Sequence, residues 1–288
     1  MAADGTITWR ELQAETACRV GSADEARWIC QRAGGFEPSQ WRDALTEPAT
    51  ERAVARLDAI VARRLAGEPL QYALGVWAFR HLELLVDARV LIPRPETEVV
   101  VDVALTMARA MKPPIVAADL GTGSGAIALS LATELPLGSV EVWATDVSAD
   151  ALDVARANLA GIGRPGAHVR VVAGPWFAAL PAELRGRLDL VVSNPPYVGD
   201  DDPDLDESVR SFEPARALFG GPDGLDAFRA IIAEAPQWLA PGGALVLEIG
   251  ATQASEVQDL LARAGLADIT VQHDLAGRDR VASARRRG

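Results

Sequence analysis

Apolar residues recur with two different periods along this chain. In the first seventy residues they recur at helical spacing, which predicts helices over residues 9–20, 25–32 and 50–65. Ser22, three residues before Glu25, gives the start of the second helix the pattern of a capping box. We therefore predict a small helical bundle at the amino-terminal end of the chain.

The domain organisation follows from where this period changes. The bundle is expected to occupy residues 1–69, and the short β-prone runs that come next predict a linking hairpin over residues 70–95. A larger domain is expected over residues 96–288, and it opens with a predicted helix over residues 96–111.

Buried apolar runs alternate with helical segments through the larger domain. Strands are predicted at residues 115–120, 140–145, 168–173, 187–193 and 243–249. This alternation predicts an α/β fold with a doubly wound, mostly parallel sheet that carries helices on both faces. Residues 269–273 and 280–283 predict a closing hairpin.

Composition favours a globular cytoplasmic enzyme. The 49% hydrophobic content of the 288 residues supports a sizeable core, no apolar run is long enough to span a membrane, and the first residues lack the pattern of a secretory signal. Cys18 and Cys30 fall on two different predicted helices, so we expect a buried pair of free thiols and no disulfide or metal site. Trp9, Trp28 and Trp41 occur at helical spacing, which favours core positions over an aromatic docking surface.

The net charge of the chain indicates which class of macromolecule it acts on. A formal charge of −12 and a pI near 4.8 oppose broad attraction to a phosphate backbone, so nucleic acid is disfavoured as a substrate. The arginines at 285–287 are the basic exception, and a solvated terminus explains them.

A glycine-rich turn joins the strand at 115–120 to a helix. Its residues are Gly121, Thr122, Gly123, Ser124 and Gly125. Glycines let a ligand approach the backbone, and the amides that open the following helix favour a carboxylate or a phosphate. Asp146 ends the next strand and suits two ribose hydroxyls. These residues alone fit a nicotinamide dinucleotide as well as an adenosyl methyl donor.

A second turn discriminates between these two candidate cofactors. Asn194, Pro195, Pro196 and Tyr197 follow the apolar run 188–192. Each proline fixes φ and removes an N–H donor, so the turn is stiff and offers an amide oxygen and backbone carbonyls to an –NH2 group. Such a turn suits methylation of a planar, weakly nucleophilic nitrogen, and a hydride-transfer enzyme has no use for it.

The two turns are expected to meet. In the doubly wound order the first and fourth strands are neighbours, so the glycine turn and Asn194 fall together at the switch point of the sheet. Asp119, two residues before the first glycine, further favours a methyl donor over a nicotinamide.

At these residues the chain resembles the S-adenosylmethionine-dependent protein-(glutamine-N5) methyltransferases of peptide chain release factors, the PrmC/HemK family. The resemblance covers nearly the whole chain. It rests on the glycine turn, Asp146, the Asn-Pro-Pro-Tyr turn and the segments at 67–72, 92–98, 176–177, 212–214 and 220–225. The most specific segment is Pro93-Arg94-Pro95-Glu96-Thr97-Glu98, because Asn-Pro-Pro-Tyr also occurs in DNA and RNA adenine methyltransferases.

The resemblance implies a role for each candidate residue. S-adenosylmethionine, which leaves as S-adenosylhomocysteine, is expected to contact Asp119, Gly121, Thr122, Gly123, Ser124, Gly125, Asp146, Trp176 and Asn194. The substrate glutamine is expected to contact Asn194, Pro195, Pro196, Tyr197, Pro93 and Arg94. The Asn194 amide oxygen and the Pro195 carbonyl accept the two substrate N–H groups, and Tyr197 walls the pocket. Arg94 organises neighbouring loops.

The resemblance also sets expectations for partners. A release factor is the protein substrate, the amino-terminal bundle recognises it, and the enzyme is a monomer that needs no metal. One departure concerns adenine, because many relatives have an acid immediately before the aromatic residue whereas this chain has Pro175. Trp176 has a second interpretation as a packing residue.

Two alternatives from other classes stay open. A nucleic-acid adenine-N6 methyltransferase would need a basic cleft, and a binding module would have kept the fold without the chemistry. The acidic segment 200–207 lacks the ligand spacing of a calcium loop and is interpreted as a lid beside the acceptor turn or as a solvated loop. None of the three histidines has a catalytic partner pattern.

Overall fold

The computed structural model describes residues 7–288, and the chain divides into two compact units, Met1–Val76 and Trp77–Gly288. The helices of the described residues are α1 (Trp9–Val20), α2 (Ala23–Gly34), α3 (Trp41–Ala44), α4 (Glu51–Leu65), α5 (Leu70–Leu74), α6 (Pro95–Arg109), α7 (Ala126–Glu134), α8 (Ala149–Gly161), α9 (Glu207–Phe212), α10 (Ala215–Leu218), α11 (Asp226–Trp238) and α12 (Ala254–Arg263). None of these helices combines the length and the apolar character that crossing a bilayer requires.

The strands of the described residues are β1 (Val76–Phe79), β2 (Leu82–Leu85), β3 (Ile115–Leu120), β4 (Val140–Asp146), β5 (Val169–Ala173), β6 (Leu188–Ser193), β7 (Leu239–Glu248), β8 (Ala267–His273) and β9 (Asp279–Arg285). Short 3-10 turns add Arg164–His168, Trp176–Ala179 and Ala182–Leu184.

The first unit is built from capped helices. The Thr8 hydroxyl accepts a bond from the Glu11 amide and the Glu11 carboxylate accepts one from the Thr8 amide, which completes a capping box on α1. Ser22 caps α2, and Thr50 caps α4. All three predicted helices are confirmed, and α2 begins two residues earlier than the prediction because its cap is Ser22.

An aromatic cluster fills the core of this unit. The Trp9 ring packs edge-on against Phe36 and Trp41, with centroids 5.4 and 6.0 Å away. The prediction of a core position was wrong for Trp28, which is 38% exposed. The prediction that both thiols are buried was wrong for Cys18, which is exposed, whereas Cys30 is buried. Both exposed residues lie on helices but fall outside the three- and four-residue spacing of the buried positions.

The segment 70–95, predicted as a linking hairpin, contains a helix before the two strands of the hairpin. Residues 70–74 form helix α5, because Pro69 precedes its first turn and Gly75 ends it at φ 75°. The division between the compact units therefore falls after Val76, seven residues beyond the predicted end of the bundle at residue 69, and the hairpin is limited to β1 and β2.

The second unit contains a seven-stranded sheet in the order β5-β4-β3-β6-β7-β9-β8. Strands β3 to β7 run parallel, and β9 lies antiparallel between β7 and β8, as the predicted closing hairpin requires. Strands β3 and β6 are almost wholly buried, which explains their continuous apolar sequences. The predicted doubly wound, mostly parallel sheet is confirmed.

The order of the sheet reverses between β3 and β6. These strands pair in parallel, with Ala117 opposite Leu190 and Asp119 opposite Val192. Just beyond the pairing, the Ser193 hydroxyl donates a 2.6 Å bond to the Leu120 carbonyl. The chain segments that follow β3 and β6 consequently leave the sheet side by side, at the position where doubly wound folds bind ligands.

Candidate active site

A cavity of about 870 Å³ opens at this switch point. Its lining includes many of the residues predicted from sequence: Pro93, Gly121, Thr122, Gly123, Ser124, Asp146, Trp176, Asn194 and Pro196. Five other predicted residues lie outside the lining: Arg94, Asp119, Gly125, Pro195 and Tyr197. The structure thus brings the glycine turn and the Asn-Pro-Pro-Tyr turn to one cavity.

The glycine turn forms a wall of this cavity with Trp176. Gly121 has φ 75°, and a Cβ on it would lie 3.2 Å from the Trp176 ring, so the ring packs directly over bare backbone. Gly125 has φ 87° and is the N-cap of α7, whose first residues also line the cavity. The Gly125 and Ala128 amides are bonded to the Thr122 carbonyl and to Asp119, which leaves the amides of Ala126 and Ile127, two residues of the cavity lining, for an anionic group.

Asp146 lies at the end of β4 and faces the same cavity. Its Oδ2 accepts a 3.0 Å bond from the Gly123 amide, and its Oδ1 accepts a 2.9 Å bond from the Ser148 amide. Each carboxylate oxygen has a further lone pair, so the group retains the capacity to accept two hydroxyls. The backbone bonds fix the orientation of the carboxylate before any ligand arrives.

Asp119 supports the turn from behind. We expected it to contact the cofactor, but it is fully buried, and its Oδ2 accepts bonds from the Thr122 hydroxyl at 2.6 Å and the Ala128 amide at 3.1 Å. Burial raises the pKa of this carboxyl from 3.8 to about 7, against the lowering effect of those two bonds. The carboxyl holds the glycine turn against α7.

Asn194 is oriented by a hydrogen-bond chain. Its Nδ2 donates to the Thr97 hydroxyl at 3.1 Å, and that hydroxyl donates to Glu248 Oε2 at 2.6 Å. Within residues 7–288, no hydrogen bond engages Asn194 Oδ1 or the Pro195 carbonyl. Both oxygens therefore carry no internal hydrogen bond, although of the two residues only Asn194 lines the cavity.

Tyr197 has a different position from the one expected. It lines a smaller neighbouring cavity together with Arg280, and its hydroxyl donates to Glu248 Oε1 at 3.1 Å. Burial raises the pKa of the Tyr197 phenol well above its usual range, and the nearby charge of Glu248 raises it further. Tyr197 therefore contacts the buried acid behind Asn194, and it does not form a wall of the larger cavity.

Arg94 organises two loops. Its guanidinium pairs with Glu213, a buried carboxylate that also accepts a 3.1 Å bond from the Ile92 amide. This contact ties the segment before α6 to the segment after α9. Pro93, one residue earlier, reaches the cavity lining.

The remaining candidates lie outside the cavity. His81, His168 and His273 are absent from its lining, and residues 7–288 contain no group of three or more metal-ligating side chains suited to an ion. In the acidic segment, Asp206 caps α9 by accepting a bond from the Ser208 amide at 2.7 Å. The lid interpretation of this segment stays a prediction.

Three residues of the site were not identified from the sequence. Glu213 and Thr97 lie within segments that carry the family resemblance, but the sequence predicts no contact for them, and Glu248 lies in the predicted strand 243–249 without a predicted role. Glu248 ends an otherwise apolar strand and is only 1% exposed. An acid that closes a buried strand at the ligand-binding edge of a sheet was the available signal.

Comparison with known proteins gives consistent matches. Residues 104–219 match the methyltransferase small domain, and residues 14–75 match the PrmC N-terminal domain. The chain is 45% identical over 264 residues to the release factor glutamine methyltransferase of Burkholderia pseudomallei (strain K96243), a match that covers 91% of each chain. It is 47% identical over 235 residues to that of Bordetella pertussis, covering 82% of this chain and 83% of the relative.

A solved structure supports the fold alone. The crystal structure of a methyltransferase from Pyrococcus furiosus superposes with a TM-score of 0.53 at 18% identity and covers 79% of this chain and 98% of that chain.

The Asp119→Asn variant tests the buried carboxyl behind the glycine turn. Because its pKa is 3.8 unfolded and about 7 folded, the folded state binds the extra proton between these values. The Asp119 contribution to stability is fully present below pH 3.8 and is lost as pH rises through 7. In wild type the unfolding free energy should fall over this range by up to ~4 kcal/mol on account of Asp119. Asparagine should remove that part of the fall, as measured by denaturant titration of the whole protein across the range. Equal slopes for the two proteins would contradict the assignment.

Proposed function

The chain belongs to the family of release factor glutamine methyltransferases, and from this premise we propose that Asn194 and Pro195 present a release factor glutamine to S-adenosylmethionine held in the larger cavity, beside the glycine turn. The observation that carries the proposal is the junction of β3 and β6. There the Ser193 hydroxyl bonds to the Leu120 carbonyl and places the acceptor turn beside the glycine turn.

The residues of the cavity fit the cofactor. The start of α7 and the glycine turn suit the methionine carboxylate, since bare glycine backbone and helix amides face the cavity there. Asp146 suits the two ribose hydroxyls, and the Trp176 ring suits the adenine face. With Pro175 in place of an acid, the adenine amino group is left to backbone acceptors of this wall.

S-adenosylmethionine, when bound, supplies an electrophilic methyl group on a sulfonium sulfur. The task of the protein is positioning, because the lone pair of an amide nitrogen is delocalised into its carbonyl. Asn194 Oδ1 and the Pro195 carbonyl accept the two substrate N–H groups and fix the direction of the nitrogen. Orientation of this kind contributes roughly 7 to 11 kcal/mol, and a well-aimed hydrogen bond adds ~3 kcal/mol.

A strong general base is unnecessary in this proposal. An N-methylated cationic amide is very acidic and gives its proton to water. The histidines of the chain are accordingly given no part in the reaction, which agrees with their absence from the cavity lining. The buried acids Asp119 and Glu248 are also outside the lining and act on the shape of the site.

Charge supports a protein substrate over a polynucleotide. The net charge of −12 gives no general attraction for phosphates, and no cluster of lysines and arginines appears in the cavity lining of the described residues, where Arg89 and Arg216 are accompanied by three aspartates. Residues 14–75, which match the PrmC N-terminal domain, are proposed to recognise the release factor.

One assay tests the proposed reaction. Radiolabelled methyl groups should pass from S-adenosylmethionine to purified release factor, and label should be lost when the acceptor glutamine of the release factor is replaced by alanine. DNA and RNA serve as parallel substrates. Labelled adenine in either nucleic acid, with unlabelled release factor, would replace this proposal with the adenine methyltransferase alternative.

The Asn194→Ala variant tests the acceptor turn. It removes one of two oxygens that hold the substrate amide, so turnover should fall about 100-fold or more. Cofactor affinity, measured by isothermal titration, should stay nearly constant because the glycine turn is untouched. Unchanged turnover would remove Asn194 from the proposed site.

The Asp146→Ala variant tests the ribose contact. Loss of a carboxylate that accepts two hydroxyls should weaken cofactor binding by about 10- to 100-fold, through a loss of ~1.5 to 3 kcal/mol. The matched control is Asp150→Ala, which removes an exposed carboxylate from the same cavity edge. Equal titration isotherms for Asp146→Ala and wild type would contradict the assignment.

A further inference from the structure

The hydrogen-bond chain behind Asn194 ends in a carboxylate that never reaches the cavity. Glu248 is 1% exposed, and its two oxygens accept bonds from the hydroxyls of Thr97 at 2.6 Å and Tyr197 at 3.1 Å. Thr97 lies in the first turn of α6 and lines the cavity, whereas Glu248 does not. Of the two hydroxyls bonded to Glu248, only that of Thr97 belongs to a residue that lines the larger cavity.

The direction of each bond in this chain follows from chemistry. An ionised carboxylate only accepts, so the single hydroxyl proton of Thr97 is directed to Glu248. The Thr97 oxygen can then only accept from Asn194, and the amide must turn its Nδ2 toward Thr97. If the amide turned its oxygen that way, two acceptors would face each other without a proton between them.

This direction matters for the reaction. A substrate amide presents two N–H donors, so the group that receives it must be an acceptor. With Nδ2 engaged by Thr97, Asn194 directs Oδ1 away from Thr97, and no internal bond of residues 7–288 occupies that oxygen. With the amide reversed, an NH2 group would meet the NH2 group of the substrate.

We propose that Thr97 and Glu248 are positioning residues that fix the Asn194 amide with its oxygen toward the substrate nitrogen. The proposal rests on the proposed function of the Asn-Pro-Pro-Tyr turn and assigns the task of orientation to residues outside that turn. Neither residue touches the transferred methyl group.

Titration of Glu248 supports the same arrangement. Burial is the main cause that raises the pKa of Glu248 from 4.5 to about 6, and the charge of Glu96 on α6 also raises it. The hydroxyls of Thr97 and Tyr197 and the charge of Arg280 on β9 act in the opposite direction. Once protonated, the carboxyl can donate to Thr97, and the Thr97 hydroxyl can then donate to Asn194 Oδ1. The reversed amide would no longer accept the substrate, so kcat should fall as pH decreases through about 6.

The experiment compares Thr97→Val with Thr97→Ser in methyl transfer to release factor. Valine keeps the shape of threonine but removes the hydroxyl, so kcat should fall about 10-fold with cofactor affinity unchanged. Serine keeps the hydroxyl and should restore most of the activity. The decline of kcat below about pH 6 should persist in Thr97→Ser and flatten in Thr97→Val, because valine cannot pass the change at Glu248 to Asn194.

A double-mutant cycle separates orientation from general packing. In the Asn194→Ala background, Thr97→Val should cause no further loss of kcat, since the group it orients is gone. Thr97→Ala, which introduces no bulk, is the second variant if Thr97→Val fails to bind the cofactor in isothermal titration.

Two results would overturn the inference: full activity in the variant without the hydroxyl, or the same fold loss in both backgrounds. Absence of methyl transfer by the wild type would instead reject the proposed function, so the two failures are distinguishable.

Discussion

The parallel pairing of β3 with β6 is the constraint on which the rest of this site depends. It joins segments that are 73 residues apart in sequence, with Asp119 opposite Val192, and just beyond this pair the Ser193 hydroxyl donates a hydrogen bond to the Leu120 carbonyl. Both strands are buried on both faces, so a shift of register would move several apolar side chains against their neighbours. The separation of the glycine turn from the Asn-Pro-Pro-Tyr turn is thereby set by backbone hydrogen bonds of the sheet, which vary little, and not by flexible side chains.

The strand pairing places the two turns, and further hydrogen bonds then fix the orientation of the polar side chains on them. Beside the glycine turn, Asp146 is held by the amides of Gly123 and Ser148. In the Asn-Pro-Pro-Tyr turn, Asn194 is held by Thr97, which lies on a different element, at the start of α6. In each case a backbone or hydroxyl partner fixes the polar group and leaves it with capacity to accept further hydrogen bonds, and both residues line the cavity. An amide or carboxylate held in this way needs little reorganisation when a ligand binds.

The sequence predicted those parts of the site that rest on local patterns. The glycine turn, Asp146 and Asn194 each follow an apolar strand, and the strand order brings their positions together. Side-chain direction was not predictable in the same way. Asp119 and Tyr197 are neighbours of cavity residues along the chain, yet one is buried behind the turn and the other lines an adjacent cavity. The partnership of Thr97 with Glu248 spans 151 residues and depends on how α6 packs on β7, which no local pattern records.

Two buried acids bond to residues that line the cavity, Asp119 to Thr122 and Glu248 to Thr97, and burial raises the pKa of both acids. A neutral side chain of similar shape would avoid the cost of burying a charge, so stability alone does not explain them. Asp119 accepts a hydroxyl and an amide, and Glu248 accepts two hydroxyls. Glu248 is ionised above about pH 6, and an ionised carboxylate only accepts, which fixes the direction of the two hydroxyls bonded to it. A glutamine at this position could turn over and reverse that direction. The carboxylate, although it is costly to bury, is therefore the group that leaves only one orientation to the hydroxyls of Thr97 and Tyr197.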